Sequence, residues 1–142
     1  MDVNDIYSQT ILEHSSSKKN NKKLEKVTFS KKGVNPSCGD EIVLEVYLEN
    51  NTIIDAGFNG DSCAISKAST SIMIDQIKGK TIAEAQSIAD SFIKLIRKES
   101  LLKEEKESLG DAIALENISN MPARVKCATL PWYTLKEIDK NN

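Results

Sequence analysis

Net charge is nearly absent from this chain. Nineteen Lys and Arg stand against 21 Asp and Glu, a net charge of -2. That excludes a strongly electropositive surface, and with it nucleic acid as the default partner. No apolar run approaches the length of a bilayer span, so no membrane segment is expected. Met1-Asp2-Val3-Asn4-Asp5 opens acidic and lacks an apolar leader core, so the expected compartment is the cytoplasm. Cysteine is scarce. The three present, Cys38, Cys63 and Cys127, are odd in number and too few for a secreted disulfide scaffold. There is no Cys-x-x-Cys, no internal repeat and no linker that would divide the chain. What remains is 142 residues, 39% hydrophobic and 28% charged. That composition predicts one globular domain over 1–142, large enough to bury its own core.

Hydrophobic periodicity supplies the elements. Ile6, Tyr7, Ile11 and Leu12 lie at helical spacing between Asp5 and His14, which predicts a short amphipathic helix. Residues 15–26 are serines, lysines and asparagines, expected to form a mobile polar connector. Over Glu41–Glu49, Ile42, Leu44, Val46 and Leu48 alternate with polar neighbours, the pattern of a half-buried strand. Asn50-Asn51 signals a hairpin. Ile54, Ala56 and Phe58 continue the alternation, and Val27 with Phe29 predicts a further strand over Lys26–Ser30. Beyond Gly57 the period becomes helical. Ile65, Ala68, Ile72 and Gln76 mark a stripe over Ser62–Lys78, and Gly79 stops it. Thr81-Ile82-Ala83-Glu84 reads as a capping box for the next helix, whose apolar face includes Ile88, Phe92 and Ile96. Lys103–Glu107 is expected to be a solvated helix end or loop. A short helix over Asp111–Asn120 is expected to break at Pro122, and Cys127–Lys140 to form a last helix interrupted at Pro131. The fold class is therefore α+β: a small antiparallel sheet of about three strands, with helices packed on one face.

Each cysteine falls at an expected junction. Cys38 lies in the turn Asn35-Pro36-Ser37-Cys38-Gly39-Asp40. Cys63 opens a predicted helix, where the positive end of the dipole favours a thiolate. Cys127 follows Arg124 and Lys126, and neighbouring cations act in the same direction. Asp40, two residues from Cys38, can point the same way. Together these four groups offer three sulfurs and one oxygen. That donor set suits tetrahedral zinc, with metal–sulfur bonds of about 2.3 Å, and also suits thiolate-held iron. Spacing alone leaves two readings open, a metal site or three unlinked buried thiols.

The words around the cysteines carry a resemblance. Asn35-Pro36-Ser37-Cys38-Gly39-Asp40, Cys63-Ala64-Ile65-Ser66-Lys67-Ala68-Ser69 and Pro122-Ala123-Arg124-Val125-Lys126-Cys127-Ala128-Thr129-Leu130-Pro131-Trp132 together resemble the SufU family. That family is part of the IscU/NifU N-terminal superfamily of iron–sulfur cluster assembly proteins. IscU-type scaffolds carry a histidine immediately before the third cysteine, where Lys126 stands here. SufU-type proteins carry an insertion between the second and third cysteines, which Lys98–Ser119 fits.

The resemblance implies zinc held by Cys38, Asp40, Cys63 and Cys127. It implies a partner, a SufS-type cysteine desulfurase whose pyridoxal phosphate this chain does not bind. It also implies a route, that of a zinc-dependent sulfurtransferase partner of the desulfurase. On docking, a histidine of the desulfurase takes the place of Cys38, and the freed thiolate removes sulfur from the desulfurase persulfide. The sulfur then passes to a downstream iron–sulfur scaffold. Arg124 is implied as a neighbour that favours the Cys38 thiolate or persulfide. The alternatives are a scaffold on which a [2Fe-2S] cluster is assembled, using iron on the same ligands, and a zinc-stabilised regulator of the desulfurase. Zinc deaminase chemistry is set aside, since His-x-Glu and Pro-Cys-x-x-Cys are both absent.

Two stretches depart from the family pattern. His14 is followed by Ser15-Ser16-Ser17-Lys18-Lys19-Asn20 where an aromatic and an Asn-Pro-Arg-Asn-like stretch is usual, and Ser62 precedes Cys63 where glycine is usual. His14 reads as a partly exposed helix-end residue, since the four named groups already complete a tetrahedral shell. Trp132 and Tyr133 read as helix-packing residues, and Asp61 as the cap of the helix that Cys63 opens.

Overall fold

The computed structural model describes residues 8–37 and 39–138. The elements run α1 (Gln9–Ser16), β1 (Phe29–Asn35), β2 (Asp40–Glu49), β3 (Thr52–Asn59), α2 (Ala64–Ile77), α3 (Ile82–Ile96), α4 (Lys103–Leu109), a 3₁₀ segment (Gly110–Asn120) and α5 (Pro122–Lys136). The three strands form an antiparallel meander in the order β1-β2-β3. Ile42, Leu44 and Val46 of β2 are fully buried, as their alternation predicts. Asn50 and Asn51 both take positive φ, 51° and 64°. This is the type I′ geometry, whose twist matches that of the flanking strands. Among the described residues no helix is long and apolar enough to cross a membrane.

Beyond the hairpin, β3 departs from simple alternation. Tyr47 pairs with Asp55 but the next residue, Leu48, pairs with Ile53. Ile54 is thus an extra residue in a bulge, 48% exposed, while Ile53, Ala56 and Phe58 are buried. Alternation over Ile54, Ala56 and Phe58 places Ile54 on the inner face, and the inserted residue overturns that. Strand β1 begins at Phe29, leaving Val27 outside it and 42% exposed.

The connector after α1 has little regular structure, yet it is tied to the sheet and to α2. Asn20 is fully buried. Its Nδ2 donates to the Ser71 carbonyl at 2.9 Å and to Asp75 Oδ1 at 3.0 Å, and its carbonyl accepts from Phe58 N–H at 3.0 Å. Lys22 then pairs with Asp55 at 3.1 Å. Gly57 is required beneath it: a Cβ there would stand 2.6 Å from the Lys22 carbonyl oxygen. The Ile6 and Tyr7 end of the predicted first helix lies outside the described residues.

Helix α2 is central and buried almost all round, not along one stripe. Helix α3 opens with the predicted capping box, Thr81 and Glu84 exchanging both hydrogen bonds. The Lys103–Glu107 run is helix α4, and the expected helix over Asp111–Asn120 is 3₁₀, burying Ala112, Leu115 and Ile118. Helix α5 differs most from expectation. It starts at Pro122, whose fixed φ suits the first helical turn, and it continues through Pro131. A proline denies a helix donor to the carbonyl four residues back, here Cys127. The Ser66 hydroxyl of α2 reaches that oxygen at 2.9 Å. One turn on, Ser69 donates to the Ala128 carbonyl and accepts from Trp132 Nε1 at 2.8 Å. Trp132 is fully buried and stacks on Phe92 with ring centroids 4.3 Å apart.

Candidate metal centre

Three chain segments meet where α2 begins. The first is the start of β2. Asn35 and Asp40 pair at the end of the β1–β2 ladder, and the connection between them is short. Ser37 N–H donates to Asn35 Oδ1 at 3.3 Å and Gly39 takes φ 73°, so the turn is held by a side-chain acceptor and a left-handed glycine. Asp40 follows at once and is 2% exposed.

The second segment leaves β3 and folds back on the same strand. Asp61 O accepts from Glu41 N–H at 2.9 Å. This approach needs Gly60, which has φ 123° and whose Cβ would collide with the Glu41 carbonyl oxygen. Cys63 is thereby delivered to Asp40, and its N–H donates to Asp40 Oδ1 at 2.8 Å. Cys63, not Asp61, caps α2: its Sγ accepts from Ser66 N–H at 3.5 Å. A sulfur replaces the expected carboxylate because the chain turns onto β2 at Asp61 and enters the helix two residues later. Ser62, in place of the family's glycine, leaves Cys63 beside Asp40, and its buried Oγ has no hydrogen-bond partner among the described residues.

The third segment is α5. Cys127 is not at a junction. It lies within the helix, after its first turn, and is 1% exposed. Its backbone is fixed by Ser66, whose hydroxyl lies 2.8 Å from Asp40 Oδ2 and 2.9 Å from the Cys127 carbonyl oxygen. The sequence reading passes over Ser66. The available signal was a hydroxyl three residues after Cys63, one helical turn on.

One ligand atom each from Asp40, Cys63 and Cys127 lie within 4.8 Å of one another. Cys63 Sγ stands 3.6 Å from Asp40 Oδ2. Two ligands of a tetrahedral ion with metal–sulfur bonds of about 2.3 Å stand roughly 3.8 Å apart, so the observed spread needs only small side-chain rotation. Two sulfurs and a carboxylate are donors that zinc accepts. The residues present therefore fit a metal ion as three of the four donors of a tetrahedral shell. Cys38 is outside the described residues. Arg124 sits in the first turn of α5, half-buried and three residues before Cys127, so it shares that face of the helix. Lys126 is exposed.

A groove of about 390 Å³ opens beside this centre, lined by Val34, Pro36, Ser37, Lys126, Leu130 and Tyr133 among others. Val34 is 52% exposed and Tyr133 38%. Trp132 packs inside, as expected, but Tyr133 faces outward and accepts from Arg97 at 3.2 Å. His14 is near the end of α1, with Nδ1 2.7 Å from Ser71 Oγ and Nε2 3.9 Å from Asp75, apart from the centre.

Comparison with known proteins agrees with this arrangement. The family model described as the NifU-like N terminal domain matches residues 6–128. The iron–sulfur cluster assembly scaffold protein IscU of Thermotoga maritima is 40% identical over 132 residues, 93% of this chain and 91% of that protein. The zinc-dependent sulfurtransferase SufU of Bacillus subtilis is 37% identical over 132 residues, 93% of this chain and 88% of that protein. A crystal structure from Fervidobacterium islandicum, described as an iron–sulfur cluster assembly scaffold for the SUF system, superposes with a TM-score of 0.87. It is 38% identical and covers 95% of this chain and 97% of that one.

Proposed function

Because the chain belongs to the NifU-like N-terminal domain family, with the IscU- and SufU-named proteins, we propose that it accepts sulfur from a SufS-type cysteine desulfurase for iron–sulfur cluster assembly. The acceptor is Cys38, and zinc is held by Cys38, Asp40, Cys63 and Cys127. The observation that carries this reading is the meeting of Asp40, Cys63 and Cys127 within 4.8 Å. The name of the Bacillus subtilis relative supports it, since that protein is a zinc-dependent sulfurtransferase.

Zinc, when bound, supplies a redox-inert positive charge that keeps its thiolate ligands deprotonated. The chain's own residues do the rest. The Cys38 thiolate attacks the outer sulfur of the partner's cysteine persulfide. A new sulfur–sulfur bond forms at Cys38, the old one breaks, and the partner's cysteine leaves as a thiolate. The transferred sulfur keeps its oxidation level, so no oxidant or reductant is consumed. Asp40 is held for its task by Cys63 N–H and by Ser66. Arg124, on the face of α5 that carries Cys127, offers positive charge to the anionic persulfide. The partner docks over the groove between the β1–β2 turn and α5, where Val34 and Tyr133 are exposed.

The test is alanine release by the desulfurase with and without the zinc-loaded protein. A large rise is expected, together with one added sulfur on Cys38 by mass spectrometry, and both vanish in Cys38→Ala. Stimulation that survives Cys38→Ala would instead identify a regulator.

The second reading is a scaffold for a [2Fe-2S] cluster, favoured by the name of the Thermotoga maritima relative. It predicts a stable cluster absorption spectrum after reconstitution with iron and sulfide, and no dependence of desulfurase turnover on zinc.

A further inference from the structure

Ser66 is fully buried and has one hydroxyl hydrogen for two acceptors. Asp40 Oδ2 lies at 2.8 Å and the Cys127 carbonyl oxygen at 2.9 Å. A serine hydroxyl donates once, so this hydrogen is divided between a carboxylate and a peptide carbonyl. The second acceptor is there for a reason legible in the chain. Pro131 has no N–H to offer the carbonyl four residues before it, and that carbonyl is Cys127's. The two acceptors belong to two of the three residues that converge on the metal centre.

We propose that Ser66 is a positioning residue of the metal centre, a hydroxyl bridge that ties the Asp40 carboxylate to the backbone of Cys127 across the α2–α5 joint. The inference rests on the reading of Asp40, Cys63 and Cys127 as metal ligands. Asp40 accepts Cys63 N–H at Oδ1, and Ser66 holds the other carboxylate oxygen, Oδ2. The same hydroxyl holds the helix turn that carries Cys127. Oxygen and sulfur ligands from separate segments are thus kept in register by one side chain that is not itself a ligand. Outer-shell partners of this kind typically change metal affinity by about 10–100-fold when removed.

Ser69 provides the control. It makes the same kind of bond one turn away, to the Ala128 carbonyl, and also accepts from Trp132, and neither partner is one of the three converging residues. Zinc affinity is measured by chelator competition, and cobalt is added separately to read ligand geometry from its visible absorption. Ser66→Ala is expected to bind zinc about 10–100-fold more weakly, with a shifted cobalt band and an unchanged far-ultraviolet circular dichroism spectrum. Ser69→Ala is expected to keep both metal readouts while lowering the melting temperature. Should Ser66→Ala fail to fold, the double variant Ser66→Ala/Pro131→Ala replaces it. There the residue at 131 regains an N–H for the Cys127 carbonyl, so the bond to Asp40 alone is lost, and the same weakening is expected. Wild-type zinc affinity and cobalt spectrum in the folded Ser66 variant would overturn the proposal, as would equal weakening in Ser69→Ala. If the unaltered protein takes up neither zinc nor cobalt, the metal reading of the site falls, and the bridge with it.

Discussion

At the scale of single residues, the centre depends on groups whose burial makes them intolerant of change. Asp40 is 2% exposed and Cys127 1% exposed. Asp40→Ala, Cys63→Ala and Cys127→Ala are each expected to abolish stimulation of the desulfurase and to remove tight zinc binding, checked by metal analysis of the purified variants. Asp40→Ala also strips the acceptor from Cys63 N–H and leaves Ser66 Oγ with the Cys127 carbonyl alone, so its loss of stability is expected to exceed that of Cys63→Ala in urea titrations of the metal-free forms. One turn along the α2–α5 joint, Trp132 stacks on Phe92 and donates to Ser69. Trp132→Ala is expected to cost about 3–5 kcal/mol, the range for deleting a buried aromatic, measured by urea denaturation.

Elements carry predictions of a different kind, because their ends are held by a few local contacts. The capping box of α3 holds the Glu84 carboxyl below its ordinary 4.5, first through the Thr81 backbone N–H and then through the Thr81 side chain. A carboxyl whose folded value is depressed adds stability above its unfolded value and loses it as pH falls through the folded one. Part of the acid sensitivity below about pH 4.5 is therefore assigned to the start of α3. Glu84→Gln is expected to shrink the drop in urea midpoint between neutral and acid pH. At the β2–β3 hairpin, Asn51 takes φ 64°, which asparagine tolerates and alanine does not. Asn51→Ala is expected to destabilise by about 1 kcal/mol, and Asn51→Gly to do no harm.

The elements also show how far the sequence could be read. Binary alternation located β2 within one residue, and the Thr81–Glu84 signature located the start of α3, because both are written in local spacing. The bulge at Ile54 was invisible, since an inserted residue has no composition of its own. Pro131 misled for a physical reason: its missing N–H matters only if nothing else reaches the Cys127 carbonyl, and Ser66, 65 positions earlier in the chain, does. Of the centre, the three residues that converge, Asp40, Cys63 and Cys127, were legible in the cysteine motifs, while Cys38 lies outside the described residues. Cys63 as a helix cap and Ser66 as a bridge were not, because both follow from how distant segments meet.

For the whole molecule, the connector and the centre lie at separate places and fail separately. Metal removal is expected to lower the melting temperature, since zinc in hundredfold excess over its dissociation constant adds about 3 kcal/mol. The Asn20 and Asp55 anchors are expected to be unaffected, read as unchanged amide protection at Phe58. On the proposed metal reading, the origin of the ligands has a kinetic consequence. Asp40, Cys63 and Cys127 come from a strand, a helix cap and the last helix. No fragment that ends before α5 brings the Cys127 sulfur to Asp40 and Cys63. A nascent or partly folded chain therefore lacks the full ligand set until α5 has docked on α2. Metal capture then acts as a completion signal: only a chain in which α5 has packed on α2 binds the ion tightly, and binding then slows the undocking of the same helix.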